Sequence, residues 1–113
     1  MASTQTTTDG KVVRSEDGTE IFVKQFVADS PKAQVLVCHG YLEHCLRYRE
    51  FGEYMAGRGI SFTTFDFRGH GKSGGKRAYL DDWAKYGADY DAALSTLRPY
   101  DEVPTFIMGH SCG

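Results

Sequence analysis

Little in this chain suits an extracellular scaffold. Its 3 cysteines, Cys38, Cys45 and Cys112, form an odd and sparse set, whereas a small secreted domain needs a dense, even-numbered framework of them. No apolar run approaches the roughly 20 residues that a membrane helix requires. The N-terminal residues 1–10 show no basic region followed by an apolar stretch, so no secretory leader is read there. Cationic excess is also missing: 13 Lys+Arg stand against 15 Asp+Glu, a formal net charge of -2. That balance gives no electrostatic reason to expect nucleic acid or an anionic surface as partner. The default compartment is the cytoplasm, and peripheral membrane contact is compatible with it. No repeat, low-complexity block or domain linker interrupts the sequence, and nothing in it sets an oligomeric state.

What remains is ordinary globular material, 41% hydrophobic and 25% charged over 113 residues, enough for one small core. Residues 1–10 are polar and Thr-rich and read as a flexible tail; residues 11–113 read as one α/β unit. Lys11 to Arg14 and Thr19 to Val27 are strand-like and flank the turn signal Glu16-Asp17-Gly18, which predicts an antiparallel hairpin. Gln34 to His39 and Ile60 to Phe67 are apolar runs suited to buried strands. Between them Tyr48, Phe51, Tyr54, Met55 and Arg58 keep helical spacing, with Gly57 and Gly59 as stop signals. A second helix is predicted from Trp83, Tyr86, Tyr90, Ala93, Leu94 and Leu97, capped by Asp81 or Asp82 and followed by Pro99. The aromatics Trp83 to Tyr90 are expected to be core. Val103 to Met108 reads as a final strand.

This order predicts a mostly parallel sheet with an antiparallel strand at one edge, right-handed crossovers and helices on both faces. Such sheets carry their sites at the carboxyl ends of the strands. His39-Gly40, the stretch Asp66 to Gly71, and the closing pentapeptide Gly109-His110-Ser111-Cys112-Gly113 all fall at such ends. The pentapeptide spells G-x-S-x-G, a strained strand-to-helix elbow that lifts a serine hydroxyl above the sheet. Ser111 is therefore the candidate nucleophile, with Gly109 and Gly113 leaving room for the turn. Backbone N–H groups of Tyr41 and Cys112 are the candidate oxyanion donors. His39, Gly40, Asp66, Arg68, Gly69, His70 and Gly71 are expected to support the loops around them. His110 is read as a spacer, because residues adjacent in a turn point apart.

Taken together in chain order, His39-Gly40, Glu43-His44, Arg47-Tyr48, the run Asp66-Phe67-Arg68-Gly69-His70-Gly71-Lys72-Ser73-Gly74 and the elbow resemble the monoacylglycerol lipase and lysophospholipase branch of the α/β-hydrolases. That branch also carries a serine-aminopeptidase-like label. The resemblance runs from Lys11 onward. It implies the N-terminal half of an α/β-hydrolase fold and hydrolysis of a glycerolipid or lysophospholipid ester through an acyl-serine, with no cofactor. One departure is local: the family has a small residue and then glycine after His-Gly, where this chain has Tyr41 and Leu42. The family's catalytic Asp and His, lid and acyl tunnel follow the elbow, so the 113 residues are expected to be a partial, catalytically incomplete hydrolase. The alternatives are a short protein that binds through an open sheet edge, and an acyltransferase on the same scaffold.

Two rival chemistries fail on context. Gly69, Gly71 and Gly74 satisfy G-x-G-x-x-G, but Asp66 stands where a P-loop needs glycine, and the next helix waits until about Asp81 instead of opening at once. Cys38, His39, His44 and Cys45 lack the C-x-x-C spacing of structural zinc sites, so no metal is expected.

Overall fold

The computed structural model describes residues 6–7, 10–39, 48–99 and 102–110. Within them the chain runs β1 (Thr6–Thr7), β2 (Lys11–Arg14), β3 (Glu20–Val27), β4 (Ala33–Cys38), α1 (Arg49–Gly57), β5 (Ile60–Phe65), α2 (Trp83–Leu94) and β6 (Thr105–Gly109). The strands form one six-stranded sheet in the order β1-β3-β5-β4-β6, with β2 also on β3. β5, β4 and β6 are parallel, and β3 joins β5 antiparallel. The expected hairpin is present, Val12 pairing with Phe22 and Arg14 with Glu20. Inside the stretch read as a tail, Thr6 pairs with Val27 and Thr7 with Phe26. Two threonines suit a strand, but two residues give too short a pattern to read.

Alternation along the strands divides the core between two faces. Ile21, Val23, Leu36, Cys38 and Phe65 turn to one side and meet Phe67, Tyr86 and Ala93. Phe26, Val37 and Phe62 turn to the other and meet Ala56 of α1. Phe26, Phe62 and Phe65 are completely buried, and each such side chain contributes roughly 1.5–3 kcal/mol of transfer free energy.

Of the stripe its spacing suggested on α1, Tyr48 and Met55 pack against the core. Phe51 and Tyr54 are exposed at 45% and 56%, while Gly52 and Ala56 face the sheet. Small residues let the helix axis come close. A Cβ at Gly52 would stand 2.4 Å from Phe26 Cδ1 and 2.9 Å from Phe62 Cδ2. In α2 the Asp82 carboxylate accepts the Ala84 N–H at 2.9 Å, an N-cap that fixes the start of the helix. Tyr86 and Ala93 are buried as expected, but Trp83 is 69% exposed. Trp83 sits at the first position of the helix, before the turn at which α2 settles on the sheet.

No helix among the described residues is long and apolar enough to cross a membrane. β6 forms one edge of the sheet, and its Phe106 and Ile107 are both exposed.

Candidate active site

Strand register brings the sequence motifs together. Cys38, the last residue of β4, stands opposite Phe65 of β5 on one side and Gly109 of β6 on the other. The three parallel strands therefore end in one row, about 4.8 Å apart. His39, Asp66 and His110 are the next residues out, and the His110 N–H continues the ladder by donating to the Cys38 carbonyl at 3.1 Å. Gly40, Tyr41, Ser111, Cys112 and Gly113 lie outside the described residues.

His39 is 1% exposed. Its Nε2 accepts the Phe67 N–H at 3.0 Å, which leaves the ring proton on Nδ1 in the neutral form. The ring meets Phe67 edge-on at 5.2 Å between centroids and lies 5.1 Å from the His70 ring. His70 donates from Nδ1 to the Arg68 carbonyl at 3.0 Å.

Asp66 organises the glycine-rich loop. Its N–H donates to the Phe22 carbonyl at 2.9 Å, and its Oδ2 accepts the Lys72 N–H at 2.9 Å. Its carbonyl accepts the Ser73 hydroxyl, and that hydroxyl oxygen accepts the Phe22 N–H at 2.8 Å. Gly71 has φ of +48°, and a Cβ there would lie 2.3 Å from Asp66 Oδ2. Glycine is the residue that lets the loop fold over this carboxylate.

Four of the loop's backbone donors are spent within the protein, Gly69 N–H on Gly74, His70 N–H on Phe67, Ser73 N–H on His70 and Gly74 N–H on Glu20 of β3. The Arg77 guanidinium further donates to the Gly71 carbonyl at 2.9 Å. A phosphate cradle needs those N–H groups aimed at the ligand, so the motif here builds a self-bonded turn.

Arg68 turns away from the loop it was expected to brace. Its backbone N–H donates to Asp89 Oδ2 at 3.0 Å, and its Nη2 to Asp89 Oδ1 at 2.8 Å. Nη1 reaches Asp17 at 2.7 Å and Nη2 reaches Ser15 at 3.2 Å. One guanidinium thus ties the end of β5 to α2 and to the β2–β3 turn. The Arg68 side chain is 9% exposed and that of Asp89 fully buried. Paired first with Asp89, Arg68 is held even more firmly protonated than usual. The hydrogen bond from Arg68 holds the Asp17 carboxyl well below the ordinary carboxylate range. Behind the row, burial pushes the Cys38 thiol up to about 11.

Sequence reasoning missed Asp89, Asp17 and Ser15 as partners of this hub. A signal existed for Asp89, which shares the helical face of Tyr86 and Ala93 and is the carboxylate on an otherwise apolar stripe. Asp17 and Ser15 had none, because they meet Arg68 across 51 and 53 residues of sequence.

A mixed sheet flanked by helices, whose edge strand β6 is followed in sequence by a glycine-framed serine, matches the N-terminal portion of an α/β-hydrolase. Residues 29–113 match the family described as serine aminopeptidase, S33, and the chain belongs to that hydrolase family. It is similar to the monoglyceride lipase of Mus musculus, 34% identical over 99 residues, covering 86% of this chain and 33% of the relative. It is also similar to a monoglyceride lipase homolog of monkeypox virus, 40% identical over 84 residues, covering 74% and 30%. Among solved structures, an esterase from Pyrococcus furiosus superposes with a TM-score of 0.72 at 26% identity, covering 96% of this chain and 43% of that one. The chain spans about a third of the length of the curated relatives it matches, 30–33% in these two.

Proposed function

We propose that these residues form the nucleophile-bearing part of a serine hydrolase acting on carboxylic esters of monoacylglycerol or lysophospholipid type. The observation that carries this reading is the common end of β4, β5 and β6, with Cys38 in register with both Phe65 and Gly109. In sequence, Gly40 and Tyr41 follow the end of β4 and Ser111 and Cys112 follow the end of β6. A serine and two backbone donors from adjacent strands are what acyl transfer needs. Ser111 Oγ attacks the ester carbonyl, the Tyr41 and Cys112 N–H groups stabilise the oxyanion, the alcohol departs, and water releases the acid from the acyl-serine.

The general base is not assigned to His39 or His70. His39 Nε2 is committed to Phe67, and His70 Nδ1 to Arg68; both rings are buried. In this fold the acid and the histidine follow the serine in chain order. The 113 residues alone are accordingly proposed to lose on the order of 10⁴–10⁶ in rate against the intact enzyme. We place the enzyme in the cytoplasm, with peripheral contact to the membranes that hold its substrates. The monoglyceride lipases among its relatives support the glycerolipid head group.

The test is a panel of monoacylglycerols, lysophospholipids and short p-nitrophenyl esters on the full-length protein beside Ser111→Ala. Turnover of the lipid esters that the variant loses supports the proposal. Turnover that persists in Ser111→Ala, or acyl transfer to an alcohol in place of hydrolysis, rejects it.

The open edge of β6, with Phe106 59% and Ile107 49% exposed, favours a second reading in which this edge binds another strand. Ester hydrolysis by the full-length protein that depends on Ser111 excludes a purely binding role.

A further inference from the structure

We infer that the turn between β5 and α2, together with the first residue of that helix, is the face by which the enzyme rests on an anionic lipid surface, with Lys72, Lys76, Tyr79 and Trp83 as its contacts; this rests on the lipid ester substrates proposed above. The formal charge of -2 over the whole chain hides a local excess of the other sign. Residues 71–80 hold Lys72, Lys76 and Arg77 and no carboxylate. None of these three joins an ion pair among the described residues. Arg77 donates to the neutral carbonyls of Gly71 and Gly75 at 2.9 and 3.3 Å, which fix its place and leave its charge uncompensated. The neighbouring acids are occupied: Glu20 pairs with Arg14 at 3.2 Å, Asp81 pairs with Lys85 at 2.9 Å, and Asp82 caps α2 through the Ala84 N–H.

Two aromatic side chains stand beside the cations. Tyr79 and Trp83 are 50% and 69% exposed, and the Lys76 ammonium lies 4.9 Å from the centre of the Tyr79 ring. Tyr and Trp suit the head-group layer of a bilayer, because an apolar ring and an O–H or N–H meet its two sides at once. Basic residues beside them add attraction to anionic head groups. Ala78, Leu80 and Trp83 line one open depression of about 250 Å³, so the turn and the helix start form one surface.

That surface is built rigid. Leu80 packs against the core cluster that holds Tyr86. The Ala78 N–H donates to the Gly69 carbonyl at 2.8 Å and the Tyr79 N–H to the Lys76 carbonyl at 3.1 Å. Ala78, directly before Tyr79, has φ of +55°, a left-handed conformation that a residue with a Cβ adopts at a cost. Contacts held in advance lose little freedom when they bind.

Its place in the fold fits the task. β5 ends at Phe65 and α2 begins at Trp83, so the turn lies at the carboxyl edge of the parallel strands. Trp83 lines a second depression with Cys38 and Phe67, and Cys38 is the β4 residue in register with Gly109. A bilayer bound here meets the strand ends that precede the proposed nucleophile in sequence.

The experiment measures co-sedimentation of the full-length enzyme with vesicles of phosphatidylcholine alone and of phosphatidylcholine with about 30% phosphatidylserine. Each basic residue at an anionic surface is worth about fivefold in partitioning. The pair Lys72→Gln with Lys76→Gln is therefore expected to bind the anionic vesicles about 10- to 30-fold more weakly. The control pair Lys32→Gln with Arg58→Gln removes the same charge from exposed positions at the opposite edge, where β4 and β5 begin, and is expected to bind as wild type does. Trp83→Phe gives a local readout that needs no charge variant: the emission it removes from wild type is expected to shift to the blue and to be quenched by brominated lipid once vesicles are added. Equal loss in both pairs, absence of wild-type partitioning, or Trp83 emission unmoved by vesicles overturns the inference. Trp83 emission already shielded from acrylamide without vesicles overturns it too, since another part of the chain then covers the ring. Partitioning as expected in an enzyme that turns over no lipid ester defeats the substrate reading and leaves the surface standing, whereas Ser111-dependent turnover of lipid esters without partitioning defeats the surface alone.

Discussion

Replacing Asp89 by alanine removes the buried counter-ion of the Arg68 guanidinium and leaves it the half-exposed Asp17. Four donor contacts end on this carboxylate, from the Arg68 N–H, twice from Nε and from Nη2, at 2.8 to 3.2 Å. The carboxylate is fully buried, and the guanidinium is nearly so. Removing one partner of such a pair costs about 3–5 kcal/mol when the remaining charge is left alone, and the half-exposed Asp17, still 2.7 Å from Nη1, holds the loss toward the lower end of that range. At about 2–4 °C per kcal/mol for a protein of 150–250 residues, the melting temperature falls by roughly 6 to 20 °C, with the larger enzyme toward the lower end.

Thermal and urea unfolding of the full-length protein measure this directly. The companion double variant Arg68→Met with Asp89→Leu removes both charges together and is expected to be more stable than Asp89→Ala, since no lone charge stays inside. An Asp89→Ala variant within about 1 kcal/mol of wild type, or a double variant worse than the single by the full cost of Arg68, would refute the reasoning. The hub would then be an ornament on a stability set by the apolar core.

Four further outcomes follow from the same contacts. Gly52→Ala, favourable by helix propensity alone, is expected to destabilise by about 1–3 kcal/mol through overpacking on Phe26 and Phe62, and a stabilised variant would contradict that close approach. Gly71→Ala forces a side chain onto the Asp66 carboxylate from a positive φ and should lower the melting temperature and expose the loop from Gly69 to Ala78 to protease; unchanged proteolysis would count against the turn. Asp17 has its folded pKa depressed by Arg68, so its contribution is present above the ordinary carboxylate value and fades as pH falls below it. Urea midpoints from pH 7 downward should therefore drop more steeply in wild type than in Asp17→Asn, and parallel curves would show that the contact contributes nothing. Cys38, 4% exposed with its thiol raised to about 11, should resist a thiol reagent at pH 8 until the protein unfolds; rapid native labelling at Cys38 would place it outside the core.

Much of the architecture was legible because it is written in local periods. The hairpin, the strands at Val35 and Phe62 and the helix around Tyr86 follow alternation or 3.6-residue spacing, and their order determines a parallel sheet. The strand ends that precede the candidate site residues were legible as positions, since Cys38, Phe65 and Gly109 fall in register once the strands are parallel. Contacts between those positions were not. Arg68 reads locally as part of a glycine-rich loop, yet its charge is satisfied by Asp89 and Asp17, whose distances along the chain no periodic pattern encodes. Trp83 and Phe51 mislead for a related reason: spacing marks a face, whereas the depth of a helix on its sheet is set by the small residues Gly52 and Ala56 and by where α2 first touches β-structure. The tautomer of His39 belongs to the same class, fixed by the Phe67 N–H just past the end of β5.

The central claim is that Ser111 is the nucleophile of an ester hydrolase. A fluorophosphonate probe applied to the full-length protein, followed by peptide mapping, tests it most directly. The account predicts one adduct, on Ser111, formed at a rate that falls as ester hydrolysis falls and lost in Ser111→Ala. An adduct on another residue, or hydrolysis that continues after Ser111 is fully labelled, would contradict it.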